Sequence, residues 1–210
     1  MPYSVREIFH TLQGEGRHAG RPAVFCRFTG CNLWTGKESD RNQAICRFCD
    51  TNFVSTDGIL GGLYKKSEKL ALAINQLWQK GQQHKYVVFT GGEPLLQLDK
   101  TLIYAMHQYN FEVGIETNGT LPVPSGVDWV CVSPKTGTKL LVTAGNELKL
   151  VIPQEGQNLS DYENMAFEHF YLQPLDNHDK EKNTQLAIKM CKQYPKWKLS
   201  LQLHKYLNIP

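Results

Sequence analysis

The sequence predicts an α/β fold, an incomplete TIM-type β/α barrel with several crossover helices missing. Three observations carry this reading. Seven short apolar runs, β-branched and aromatic and without strict alternation, read as strands covered on both faces. Only three segments show helical spacing. Polar residues gather just after the strands, where sites form in such folds.

The predicted strands are Val24–Phe28, Tyr86–Phe89, Glu112–Ile115, Trp129–Val132, Glu147–Ile152, His169–Leu172 and Lys198–Leu203. The first helix starts at Ser67, aligns Leu70, Ile74, Leu77 and Trp78 on one face, and stops at Gly81. The second runs from Leu98 to Tyr109, with Leu102, Ile103 and Met106 facing inward. The third runs from Asn183 to Tyr194 and is ended by Pro195. The links from Glu116 to Trp129 and from Val132 to Glu147 are rich in Gly, Pro, Thr and Ser and show no helical pattern. A closed eight-unit barrel takes about 250 residues. This chain has 210 and shows neither repeat nor linker, so residues 1–210 read as a single domain.

Hydrophobic residues make up 41% of the chain, enough for one substantial core. The 23 basic and 20 acidic residues leave a net charge of +3, with no basic face or tail. That balance favours a small anionic substrate over nucleic acid. No run approaches the ~20 apolar residues of a membrane span, and the N-terminus lacks a secretory pattern. The expectation is a cytoplasmic protein with no membrane partner. Thiols stay reduced there, so the six cysteines are not read as a disulfide framework.

Cys46-Arg-Phe-Cys49 is a C-x-x-C pair, and Cys31 stands just after the first predicted strand. Three thiolates from one loop can hold three irons of a 4Fe-4S cluster and leave the fourth iron open. A structural zinc site wants four ligands, and only one such pair is present. A redox dithiol would use Cys46 and Cys49 and leave Cys31 unexplained. On the cysteines alone all three readings stand. Cys26, Cys131 and Cys191 read as small core residues, and the four tryptophans as packing.

The later loops add a pattern. Thr90-Gly-Gly-Glu-Pro94 follows a buried strand, and its two glycines allow close backbone approach. A three-cysteine loop followed by this turn resembles the radical S-adenosylmethionine enzymes. The spacing C-x14-C-x2-C departs from the usual C-x3-C-x2-C in loop length, not in ligand number. One branch is similar along most of the chain, from Phe9-His-Thr-Leu-Gln-Gly-Glu-Gly16 through Glu116-Thr-Asn-Gly119 and Ser133-Pro-Lys135 to His204-Lys-Tyr-Leu-Asn-Ile-Pro210. Its members contract 6-carboxy-5,6,7,8-tetrahydropterin to 7-carboxy-7-deazaguanine with loss of ammonia, in queuosine biosynthesis.

The resemblance implies the cofactors and the site. Cys31, Cys46 and Cys49 would hold a 4Fe-4S cluster. Phe48, Cys49, Asp50, Gly92, Glu93, Glu116, Ser133, Pro134, Lys135, Gln173, Pro174, Leu175 and Asp176 would contact S-adenosylmethionine. Leu12, Gln13, Gly14, Glu15, Arg27, Thr90, His204 and the carboxylate of Pro210 would meet the pterin. Thr51 would bind Mg2+. A flavodoxin or ferredoxin as electron donor and a homodimer are further implied. Two other readings remain: an activase that makes a glycyl radical on a protein partner, and a zinc-stabilised binding module without catalysis.

Overall fold

The computed structural model describes residues 2–78, 81 and 83–210. A nine-stranded sheet runs through it. The strands are β1 (Tyr3–Leu12), β2 (Pro22–Phe28), β3 (Gly62–Tyr64), β4 (Lys85–Gly91), β5 (Phe111–Thr117), β6 (Trp129–Val132), β7 (Ala144–Ile152), β8 (Ala166–Pro174) and β9 (Lys198–Leu199). The helices are α1 (Ser67–Leu77), α2 (Lys100–Gln108), α3 (Ser160–Glu163), α4 (Lys180–Gln193) and α5 (Leu203–Leu207). The strand order is β3-β1-β2-β4-β5-β6-β7-β8-β9, and the sheet does not close. Every pair from β2 to β9 is parallel, while β1 runs antiparallel to β2 and β3.

The predicted partial barrel is therefore present. Crossovers β4-α2-β5 and β8-α4-β9 carry full helices, β7 to β8 carries the single turn α3, and neither β5 to β6 nor β6 to β7 carries one. The two Gly- and Pro-rich links are these helix-free crossovers. No helix of the described residues is long and apolar enough to cross a membrane.

Alternation along the strands divides two faces. On β2, Val24, Cys26 and Phe28 are fully buried against α1 and α2, together with Leu70, Ile74, Leu102 and Met106. Phe25 turns the other way and meets Phe9, Ala23, Tyr86 and Val88 inside the curved sheet. A separate core of Leu148, Leu150, Phe170, Leu172 and Trp197 supports the far half.

Several elements differ from expectation. The whole of β1 is missed because a register shift between Val5 and Glu7 breaks its alternation. Val5 and Ile8 then share the helix side, three residues apart, which reads as neither strand nor helix. The last predicted strand, Lys198–Leu203, stops at Leu199. Ser200 donates to the Leu172 carbonyl at 2.9 Å, and the chain then leaves the sheet for α5. His204 thus lies on a helix, not beyond a strand. Helix α4 starts three residues before the predicted Asn183. The predicted stretch of the first helix toward Gly81 crosses Gln79 and Lys80, which lie outside the described residues.

Candidate functional site

Because β2 and β4–β8 are parallel, their C-terminal ends share one rim, and the inward positions just below it line a cavity of about 430 Å³. Register sets side chains from neighbouring strands level. Arg27 pairs with Thr90, Glu116 with Cys131, and Cys131 with Glu147. Nearly all the predicted site residues line this one space, from Leu12 and Arg27 through Phe48 and Lys135 to His204 and Pro210. Cys31, Glu93 and Pro134 are not part of its lining.

Glu93 shows why. It is fully buried, and its carboxylate accepts from Leu95 N at 3.0 Å, Thr117 Oγ1 at 2.7 Å and Asn118 N at 2.8 Å. Those bonds lock the β4 turn to the β5 turn. Burial pushes its pKa up, opposed by the same donors. The carboxylate is thus committed to holding the rim, and what the turn offers the cavity is Gly91 and Gly92. Gly91 has φ +116°, and a Cβ at Gly92 would fall 2.0 Å from Gly30 O and 3.0 Å from Cys31 Cβ. The predicted close approach is real: it packs the turn directly on the first cysteine.

The three cysteines are free thiols. Each lies within electrostatic reach of the others: the charge of Cys49 acts on Cys31, and both act on Cys46. Burial pushes Cys31 and Cys46 up; the Lys135 ammonium pulls Cys46 back. Among the described residues, no three His, Cys, Asp or Glu side chains gather as ligands of one ion. Three soft thiols on one loop, with Gly92 packed on Cys31 and Lys135 acting on Cys46, suit a cluster that takes one thiolate per iron. The donor set fits the cluster. Beside it, Lys135 Nζ donates to Ser133 Oγ at 2.7 Å and lies 5.6 Å from the Phe48 ring, so three predicted cofactor residues stand together.

The cavity also holds a charge network. Lys149 is 4% exposed. It pairs with Glu15 and lies 3.9 Å from Glu116. Gln202 donates to Glu15 at 2.9 Å, and Gln13 Nε2 donates to Glu116 at 3.0 Å. Burial alone would lower the Lys149 pKa, but Glu15 and Glu116 hold it well above the ordinary value. Burial likewise pushes Glu147 up, against the pull of Lys149. Arg27 sits beside this group, its Nε 3.1 Å from Glu7 and its guanidinium 5.3 Å from the Phe9 ring. That Nε is taken up facing Glu7, while Arg27 as a whole lines the cavity, where a guanidinium fork suits an anion.

Burial drives the Glu15 carboxyl up, but Lys149 outweighs it and leaves the pKa at about 2. A free glutamate titrates near ~4.3. The folded value is the lower one, so the stabilisation is complete above ~4.3 and is lost as pH falls toward ~2. The stability gap between wild type and Glu15→Gln is accordingly expected to shrink over that interval. Urea midpoints measured at pH ~5 and ~2.5 check this; an unchanged gap refutes it.

The C-terminal segment covers the cavity. Leu203 N donates to Gly14 O at 2.9 Å, Thr11 Oγ1 donates to Pro210 O at 2.9 Å, and Lys205 bridges Asp50 and Asp176. A Cβ on Gly14 would fall 2.3 Å from His204 Nδ1, so glycine is what lets α5 settle there. Lys149, Gln202 and Lys205 escaped the sequence reading. The run Glu147-Leu-Lys149-Leu held the signal for Lys149: charges at alternate positions of an otherwise buried strand need a polar face. Cys131, expected as plain core, also lines the cavity, with Sγ 3.5 Å from Glu147 Oε1.

The chain matches the Radical SAM superfamily over residues 41–149. It is 59% identical to a 7-carboxy-7-deazaguanine synthase of Burkholderia multivorans and 54% identical to one of Caulobacter vibrioides, each over 100% of both chains. It resembles the crystal structure of QueE from Escherichia coli with a TM-score of 0.72 and 28% identity, over 97% of this chain and 95% of that one. These relatives carry the synthase's name, not that of an activase or a zinc module. The cysteine loop, the glycine turn and the covered cavity therefore sit in a chain that belongs to the 7-carboxy-7-deazaguanine synthase family of radical SAM proteins.

Proposed function

We propose that this chain converts 6-carboxy-5,6,7,8-tetrahydropterin to 7-carboxy-7-deazaguanine with loss of ammonia, acting as a single domain over residues 1–210. One observation carries the reading: a single cavity is lined both by Cys46 and Cys49 and by Arg27, Gln13 and Glu116. When bound, the 4Fe-4S cluster and S-adenosylmethionine supply one-electron chemistry and a hydrogen-abstracting radical.

The protein's own residues bind, orient and shield. Cys31, Cys46 and Cys49 hold the cluster. Gly92, Phe48, Asp50, Ser133 and Lys135, with the Gln173–Asp176 segment, line the space for S-adenosylmethionine. Pro134 and Glu93 complete the cofactor side through their turns, Glu93 also bonding the β4 turn to the β5 turn. Arg27 takes the substrate carboxylate, for which its planar fork is suited. Glu15 and Glu116 accept from the donor-rich pterin edge, flanked by Leu12, Gln13, Gly14, Thr90 and His204. Thr51 offers oxygen to Mg2+, and titrating the ion against turnover tests that role. A homodimer and a flavodoxin or ferredoxin donor complete the proposal; sedimentation and anaerobic reduction assays address them.

The deciding experiment incubates reduced, reconstituted protein with S-adenosylmethionine and the carboxylated pterin and reads the product mass. Absence of the ammonia-depleted product sinks the reading. A second outcome follows from Pro210, whose carbonyl is held by Thr11 at the cavity wall. Residues appended after Pro210 crowd that wall, so turnover is expected to fall about tenfold or more, the effect of small misplacements in a closed site. Full turnover with a C-terminal tag refutes the placement.

A further inference from the structure

The residues between Cys31 and Cys46 form a built structure. Ile45 N and Cys46 N both donate to Leu33 O, at 3.1 and 3.3 Å, which closes the insert at its base. Trp34 is 7% exposed; its Nε1 donates to Lys37 O and Asp40 Oδ1 at 3.1 Å, and its ring meets Phe53 edge-on at 5.6 Å. A 3-10 turn, Glu38–Gln43, then delivers Arg41 back over that ring at 3.9 Å. Arg41 Nη1 donates to Arg47 O at 2.9 Å and Cys49 O at 3.1 Å, while Nε and Nη2 are held by Glu38 at 2.7 and 2.5 Å.

We propose that Arg41 is a positioning residue: its guanidinium clasps the Cys46–Cys49 loop by two carbonyls, and the insert serves to deliver it. This rests on the cluster reading above. The argument is geometric. One face of the fork lies on Trp34, one edge is fixed by Glu38, and the remaining Nη1 grips the backbone of the ligand loop itself. Backbone carbonyls on either side of Phe48 are thereby pinned, and with them the spacing of the two thiols. A lysine has one nitrogen and cannot stack, pair with Glu38 and reach both carbonyls together. The donor sits in the insert, so a short C-x3-C loop has no residue in this place. The longer spacing brings its own clamp.

The test uses full-length protein, reconstituted anaerobically, with cluster loss to an iron chelator followed by absorbance and no S-adenosylmethionine present. Arg41→Met and Arg41→Lys are expected to take up the wild-type iron content and release it about tenfold faster, as loss of hydrogen bonds from a charged donor implies. Glu38→Gln, altered at an exposed anchor, is expected to lose iron about threefold faster. Melting of the metal-free proteins by circular dichroism verifies that each is folded. A folded Arg41→Met, or a lysine variant, with the wild-type release rate overturns the proposal. If the methionine variant does not fold, a wild-type rate in Glu38→Gln overturns it instead. Wild-type protein that takes up no iron would sink the cluster reading itself, a separate failure.

Discussion

Alanine at Cys31, Cys46 or Cys49 is expected to remove both iron and turnover, each on its own. Wild type should bind about four irons and four sulfides per chain. Each thiolate holds a different iron, so a lost thiol opens a second corner of the cluster and cannot be covered by its neighbours. Nothing nearby substitutes: the remaining cysteines are Cys26, Cys131 and Cys191, and none joins the loop. Cys26 is fully buried on the helix side of β2, where burial pushes its thiol up and keeps it protonated. Cys131 is buried too, raised first by burial and then by Glu147. Cys26→Ala should therefore keep its full iron content and lose only packing. Iron and sulfide analysis of the four anaerobic proteins decides the matter, and a Cys31→Ala protein that still holds four irons and turns over would end the assignment.

How much of this could be read from the sequence depends on whether the signal was local. The C-terminal rim was legible because parallel strands covered on both faces produce apolar runs, and each run here ends in a polar or glycine cluster. Ser133-Pro-Lys135 and Gln173-Pro174 stood out that way, while their cofactor role, and Leu175 and Asp176, came only from the resemblance. The cysteine ligands were legible as a set through resemblance, since spacing alone left zinc and redox readings open. Glu93 was legible as part of its turn, but its partners were not. Its neighbours Thr117 and Asn118 lie on another strand's turn, and only tertiary structure shows the carboxylate bonded to them. The β1 strand was illegible because its bulge hides the alternation. The α5 helix was illegible because Leu201–Leu203 is as apolar as any strand end; it is Gly14, from the other end of the chain, that makes room for it.

Lys149 was the most consequential omission, and its replacement by methionine should have the largest effect on the protein without metal. Its buried ammonium faces Glu15 and Glu116 at the cavity wall, with Glu147 also in its field. Removing it leaves Glu15 uncompensated, and breaking a buried pair from one side costs ~3–5 kcal/mol. For a chain of this length that is a drop of roughly 10 °C in Tm at neutral pH. The pH dependence carries the sharper test. In wild type the Glu15 pKa lies below its unfolded value, so stability falls as acid is added. Without Lys149, burial is opposed only by the Gln202 hydrogen bond and His204, and the folded pKa is expected to move above the unfolded one. The sign then reverses: the variant is most stable below ~4.3 and loses stability as pH rises through the raised value. Urea unfolding of metal-free Lys149→Met from pH ~7 to ~5 should show stability recovering while wild type shows no gain. If the two proteins run parallel, Lys149 is not what holds these carboxylates ionised. Under the proposed role of Glu15 as acceptor for the pterin edge, the same reversal is expected to lower turnover.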